Sequence, residues 1–179
     1  MLTLGKYKFA LEEDSPENRL YLCTNEDGNT WNLELHFAEG EYGGETVSPM
    51  LILGDIETQK QTPAELKGES FEVGSVEECM EREDEFYIFE HEPMFDYSVK
   101  IVDIKDGKAL VSCSGIAIED GYAEKPKKVK FALEEWVTVE EMTDDEDFSD
   151  GEEEPSAPAD GKPVSFIPNG GANPEDLEI

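Results

Sequence analysis

Apolar and polar residues alternate along much of the first 139 residues of this 179-residue chain. Residues 31–37 are the clearest case, because every odd-numbered residue is apolar and every even-numbered one, Asn32 among them, is polar. A period of two residues is that of a β-strand with one buried face. The pattern recurs at residues 7–11 and 129–133. One-sided burial is typical of antiparallel sheets, so the alternation predicts a mainly β protein.

Turn residues divide the alternating segments into about nine candidate strands. These strands are 4–12, 18–25, 30–38, 49–56, 70–74, 85–91, 95–105, 108–118 and 127–139. Asp106-Gly107 and Asp27-Gly28 lie between such segments, and Asp-Gly in that position favours a two-residue hairpin. We therefore expect a single antiparallel β-sandwich or a partly open barrel of about nine strands.

Helix signals are few. Ser75 and Glu78 have the spacing of a capping box and predict a short helix over 76–84. Thr62 followed by Pro63 predicts a second short helix, because proline is favoured at the first helical position.

The hexamer Lys-Phe-Ala-Leu-Glu-Glu occurs twice, at Lys8–Glu13 and at Lys130–Glu135. It marks either a duplicated unit or two strands with the same alternating pattern. One hexamer pair without flanking similarity does not establish a repeat.

Charge is the strongest compositional feature, with 45 acidic against 14 basic residues and a net charge of −31. Residues 1–139 carry −18 and residues 140–179 carry −13. Such a surface repels phosphate backbones and anionic lipid headgroups, and it attracts basic partners. The alternative is that the acidity only maintains solubility.

The composition changes after residue 140. Residues 141–179 contain the acidic blocks Asp144–Asp147 and Glu152–Glu154, and prolines and glycines recur at short intervals through the rest of this segment. A segment of this kind cannot bury enough apolar surface to offset its ordering entropy. We predict a folded acidic β domain over 1–140 and a disordered, flexible acidic tail over 141–179.

One apolar island interrupts the tail, at Val164, Phe166 and Ile167. It is either a docking motif that orders on a partner, a segment that returns to a sheet edge, or a chance cluster in a polar tail. The composition does not choose among these alternatives.

Three cysteines at wide spacing, Cys23, Cys79 and Cys113, indicate reduced thiols and a cytoplasmic protein. The first residues lack the apolar region of a secretion signal. No segment approaches the ~20 apolar residues that span a bilayer, so we expect no membrane association.

Catalytic and cofactor motifs are weak. His36 and His91 lack the spacing of known zinc sites, which favours two ordinary surface histidines over a metal site joining His91 to carboxylates or to His36. Cys113 follows the buried face of its strand, and the acidic neighbours of Cys79 disfavour a thiolate. The glycines of 40–44 lack a phosphate-binding lysine. We predict no catalytic residue, no metal, no cofactor and no enzyme activity.

Two acid–aromatic clusters are the candidate partner contacts, although each is equally readable as a polar loop beside a strand. They comprise Glu39, Glu41 and Tyr42, and then Glu83, Asp84, Glu85 and Tyr87. Carboxylates accelerate the capture of a basic surface, and aromatic residues commonly supply the holding energy.

The sequence therefore favours a non-enzymatic domain that captures a basic protein, as an immunity protein, inhibitor or nucleic-acid mimic does. A first alternative is an acidic-tailed factor for single-stranded nucleic acid. The only basic cluster is Lys125–Lys130, which argues against direct nucleic-acid binding by the folded part. A second alternative is a structural or assembly component of a virus or secretion system.

Overall fold

The computed structural model describes residues 1–13, 15–25, 28–120 and 127–143. Thirteen strands form nearly all of its regular structure. They are β1 (Leu2–Leu4), β2 (Tyr7–Phe9), β3 (Arg19–Asn25), β4 (Gly28–His36), β5 (Gly40–Tyr42), β6 (Glu45–Val47), β7 (Met50–Thr58), β8 (Ser70–Val73), β9 (Glu85–Tyr87), β10 (His91–Glu92), β11 (Met94–Lys105), β12 (Lys108–Asp120) and β13 (Lys127–Thr143). A 3-10 helix covers Pro63–Leu66 and helix α1 covers Val76–Arg82.

Eleven strands form one sheet, and nine of them follow the order β10-β9-β7-β4-β3-β13-β12-β11-β8. The hairpin β1–β2 completes the sheet through β1, which pairs with the first half of β13. This mixed sheet curls into a half-barrel. Phe86 of β9 and Phe131 of β13 show the curl, because their ring centroids lie 4.8 Å apart although three strands separate β9 from β13 in the sheet. The mainly β class and the partly open barrel are confirmed, whereas the single sandwich is not.

One pairing corrects the antiparallel expectation, because β13 and β3 are parallel. Strand β1 runs antiparallel to β13, from Leu2 beside Leu133 to Leu4 beside Phe131. Strand β2 turns back and so points the same way as β13. After the connection from β2, strand β3 takes the free place beside Thr138–Thr143. The parallel pair follows from the length of β13, which has room for both neighbours.

The glycine-containing segment 40–44 belongs to the hairpin β5–β6, whose turn lies at Gly43 and Gly44. Two local expectations were wrong. The expected strand over 4–12 is two strands, because the chain turns at Gly5, whose φ of 58° favours glycine. Asn32, expected on the solvent side, is buried, and its side-chain oxygen accepts a hydrogen bond from the Asp55 amide at 2.8 Å.

The Ser75 capping signal and the Asp106-Gly107 turn signal are confirmed. Ser75 caps α1 by accepting a hydrogen bond from the Glu78 amide at 3.1 Å. Asp106 and Gly107 have φ angles of 52° and 72° in the turn that joins β11 to β12, as a type I′ hairpin requires.

In the described part of the chain, neither helix has the length or hydrophobicity to cross a membrane.

The division between the two units of the chain falls after Asp147. The tail blocks, the island at Val164, Phe166 and Ile167, and the turn residue Asp27 lie outside the described residues. The predictions about them remain predictions.

Candidate partner-binding surface

A groove with acidic walls lies between the hairpin β5–β6 and the connection from β9 to β10. It has a volume of about 470 Å³. This acidic groove is lined by Tyr42, Gly43, Glu45, Phe89, Glu90, Glu119 and Lys127. It joins one residue of the first predicted cluster, Tyr42, to acidic and aromatic residues outside both predicted clusters.

Aromatic rings form the floor of the acidic groove. The Tyr42 ring lies 4.8 Å from Tyr7 and 5.9 Å from Phe89, centroid to centroid. Tyr42 is buried, and its hydroxyl donates a hydrogen bond to the Glu119 carboxylate. Burial, and then this hydrogen bond, raise the pKa of Tyr42 above its ordinary value. The phenol therefore stays neutral and holds Glu119 at the groove wall.

The charges of the acidic groove favour a cation. Glu45 and Glu90 are exposed, Glu119 is half-buried, and Lys127 is the one base among the described residues of the lining. An arginine or lysine side chain of a partner could lay its apolar stem and charge against Phe89 and Tyr42. Its charged end would then reach carboxylates, which form the stronger class of hydrogen bond.

A second groove, of about 320 Å³, lies at the other end of the β9–β10 hairpin. Its lining is Met80, Glu83, Asp84, Glu85, His91, Glu92 and Pro93. His91 lies 2.6 Å from the Glu85 carboxylate, measured from Nδ1 to Oε2. Phe89 and Glu90, at the tip of the hairpin, belong to the acidic groove, so one short hairpin contributes to both grooves.

The seven predicted contact residues differ in their surroundings. Glu39, Glu41 and Glu83 are exposed, Glu85 and Tyr87 are half-buried, and Tyr42 and Asp84 are buried. Sequence reasoning missed Glu45, Phe89, Glu90 and Glu119. A signal existed for Phe89 and Glu90, which repeat the acid–aromatic pattern just after the second cluster, but Glu119 is brought to Tyr42 only by the fold.

Asp84 is a structural anchor and faces the interior. One carboxylate oxygen accepts a hydrogen bond from the Gly54 amide at 2.9 Å. The other accepts one from Arg82 Nε at 2.9 Å and one from the Tyr97 hydroxyl. Arg82 in turn donates to the Gly54 carbonyl at 2.5 Å and lies over the Phe71 ring. These contacts join the end of α1 to β7 and β11.

Two of the three thiols are shielded. Burial raises the pKa of Cys113 to about 12, and burial is also the main cause that raises the pKa of Cys79. The expected elevation for Cys79 is thus present, but its acidic helix neighbours are not the main reason. Cys79 also accepts a hydrogen bond from the Met94 amide at 3.2 Å.

Alkylation of the native protein at about pH 8 should therefore modify only Cys23, because a buried thiol of raised pKa offers little thiolate. Mass spectrometry after a brief iodoacetamide pulse would measure this. All three cysteines should react in denaturant, and Cys23→Ser should leave the native protein unlabelled. Rapid native labelling of Cys113 would contradict the burial assigned to it.

The bases of the sheet occupy a different surface. Lys128 and Lys130 are exposed on the outer face of β13, and Lys128 Nζ lies 4.4 Å from the Phe95 ring centroid. Lys100 and Lys8 are exposed on the same outer face. Within the described residues, these four lysines form no ion pair.

Comparison with known proteins gives no family. No family model matches the chain, and no curated protein or solved structure is significantly similar to it. The chemistry of the surface is therefore the basis for a functional assignment.

Proposed function

We propose that this chain is a non-enzymatic binding protein that captures a basic partner protein, in the manner of an immunity protein, an inhibitor or a nucleic-acid mimic. The observation that carries the proposal is the acidic groove, in which three carboxylates surround an aromatic floor. The groove belongs to a body whose residues 1–139 carry a net charge of −18.

The acidic charge and the aromatic floor have separate roles in binding. The field of the acidic body accelerates encounter with a basic surface, and this effect weakens as salt is added. Retention of the bound partner depends on a small number of contacts, usually made by aromatic or arginine residues in a desolvated pocket. Phe89, which is half-buried, and Tyr42 beneath it supply an apolar surface for such a contact.

Replacing Glu45, Glu90 and Glu119 together with glutamine should weaken partner retention at least tenfold. The change removes three negative charges and keeps side-chain size, and the amide oxygen introduced by Glu119→Gln can still accept the Tyr42 hydrogen bond. The measurement is a quantitative pull-down from lysate of the source cells at about 0.15 M salt. The dissociation constant of the captured protein would then be determined with purified components.

The matched control replaces the exposed residues Glu12, Glu13 and Glu57 with glutamine. It alters the net charge equally at positions outside the groove lining, so it should retain the partner within about twofold, a small electrostatic effect. Equal weakening by both triple variants would assign binding to the overall field and refute the groove. Failure of the wild-type chain to retain any basic protein would refute the proposed function.

A further inference from the structure

Three side chains with metal-binding atoms converge at the end of β4, outside both grooves. Glu34 and His36 lie on β4, and Glu17 lies just before β3. His36 Nε2 is 2.8 Å from Glu34 Oε1 and 3.6 Å from Glu17 Oε2. The three ligand atoms all lie within 4.8 Å of one another. Glu34 and His36 are half-buried, and Glu17 is exposed.

The backbone holds this arrangement in place. Glu34 and His36 are two residues apart on one strand, so their side chains project from the same face. The Asn18 side chain accepts a hydrogen bond from the His36 amide and donates one to the Glu12 carbonyl, both at 2.6 Å. Asn18 is buried. The residue next to Glu17 is thereby fixed against the end of β4.

The local charges are unbalanced. A neutral imidazole has one N–H, so His36 Nε2 can donate to only one of the two carboxylates. Two carboxylates in one place repel each other unless a positive charge lies between them. Arg19, directly opposite Glu34 in the sheet, pairs with Glu140 at 3.4 Å instead. Among the described residues, no lysine or arginine forms an ion pair with Glu17 or Glu34.

We propose that Glu17, Glu34 and His36 form a three-ligand site for a divalent first-row transition metal, with Zn²⁺ as the representative ion. Zinc binds imidazole nitrogen and carboxylate oxygen at about 2.0–2.2 Å, which places tetrahedral ligand atoms about 3.4 Å apart. The distance from His36 to Glu17 already has this value within a few tenths of an ångström. The contact between His36 and Glu34 has to open slightly, by rotation of the Glu34 carboxylate.

The ligand set also selects the class of ion. An imidazole nitrogen suits zinc, copper and nickel, whereas magnesium and calcium prefer oxygen ligands only. Three protein ligands leave a fourth position, which a water molecule or a side chain of another protein can occupy. The exposed side of Glu17 is where that position would open.

Calorimetric titration of the full chain with Zn²⁺, near neutral pH and at about 0.15 M salt, tests the site. We expect saturable binding of one ion per chain. His36→Ala should weaken this binding at least tenfold, and Glu17→Gln at least threefold. His91→Ala is the matched control, because His91 contacts a single carboxylate, that of Glu85, and it should leave the affinity unchanged.

Glu17→Gln guards against misfolding as an explanation, because Glu17 is exposed and its replacement leaves the core untouched. Titration with Ca²⁺ separates the site from general attraction to an acidic protein, since calcium binding should not respond to His36→Ala. Zinc binding that is absent, that is equal in wild type and His36→Ala, or that falls as far in His91→Ala would overturn the proposal. None of these results bears on the acidic groove.

Discussion

Asp84→Ala is expected to lower the free energy of unfolding by about 3–5 kcal/mol, the usual cost of removing one partner from a buried ion pair. The Asp84 side chain is completely buried. Its removal leaves Arg82 Nε, the Tyr97 hydroxyl and the Gly54 amide without their acceptor. Each lost hydrogen bond is costly, because a polar group inside the protein cannot form a replacement hydrogen bond with water.

Urea denaturation followed by tryptophan fluorescence would measure the effect. Glu83→Gln is the control, because Glu83 is adjacent in sequence but exposed, and it should stay within about 0.5 kcal/mol of wild type. Tyr97→Phe removes one hydrogen bond to a charged group and should fall between them, at about 1.5–3 kcal/mol. A loss under about 1 kcal/mol for Asp84→Ala, well below the range for buried pairs, would refute the role assigned to this carboxylate.

Structural features that depend on residues close together in the sequence could be predicted from it. The apolar residues Trp31, Leu33, Leu35 and Phe37 are all buried, as their alternation predicts. The hairpin at Asp106-Gly107 and the cap of α1 also follow from short-range rules. In each case the deciding interaction lies within a few residues of the signal.

Structural features that depend on contacts between residues far apart in the sequence could not be predicted from it. Asp84 lies in an acidic run that looks solvated, and its burial depends on Tyr97 in β11 and Gly54 in β7. The acidic groove needs Glu119, which only the curled sheet brings to Tyr42. Glu17 and His36 are 19 positions apart, and only the β3–β4 pairing and the Asn18 contact bring them together. Sequence patterns locate strands, but long-range pairing decides which carboxylates meet.

Gly115→Ala is expected to cost about 3 kcal/mol, at the upper end of the usual range for overpacking a core. Gly115 lies opposite Phe131 in the β12–β13 ladder. A Cβ at this position would come within 2.8 Å of Tyr97 Cα and 2.9 Å of Phe131 Cε1. The first of these atoms belongs to the backbone and cannot rotate away. Gly115 has an ordinary strand φ, so the cost arises from packing and not from backbone strain.

Gly74→Ala is the matched control, because a Cβ at Gly74 meets no atom within 4 Å. Its free energy of unfolding should match wild type within about 0.5 kcal/mol. Gly115→Ala must displace Tyr97, whose hydroxyl donates a hydrogen bond to Asp84. Gly115 and Asp84 therefore share Tyr97 as a partner, and the effects of Gly115→Ala and Asp84→Ala should be coupled. Their double variant should lose at least about 0.5 kcal/mol less than the sum of the single losses, the threshold for interacting sites. Strict additivity would show that Gly115 and Asp84 stabilise the protein independently, and that Tyr97 does not connect them.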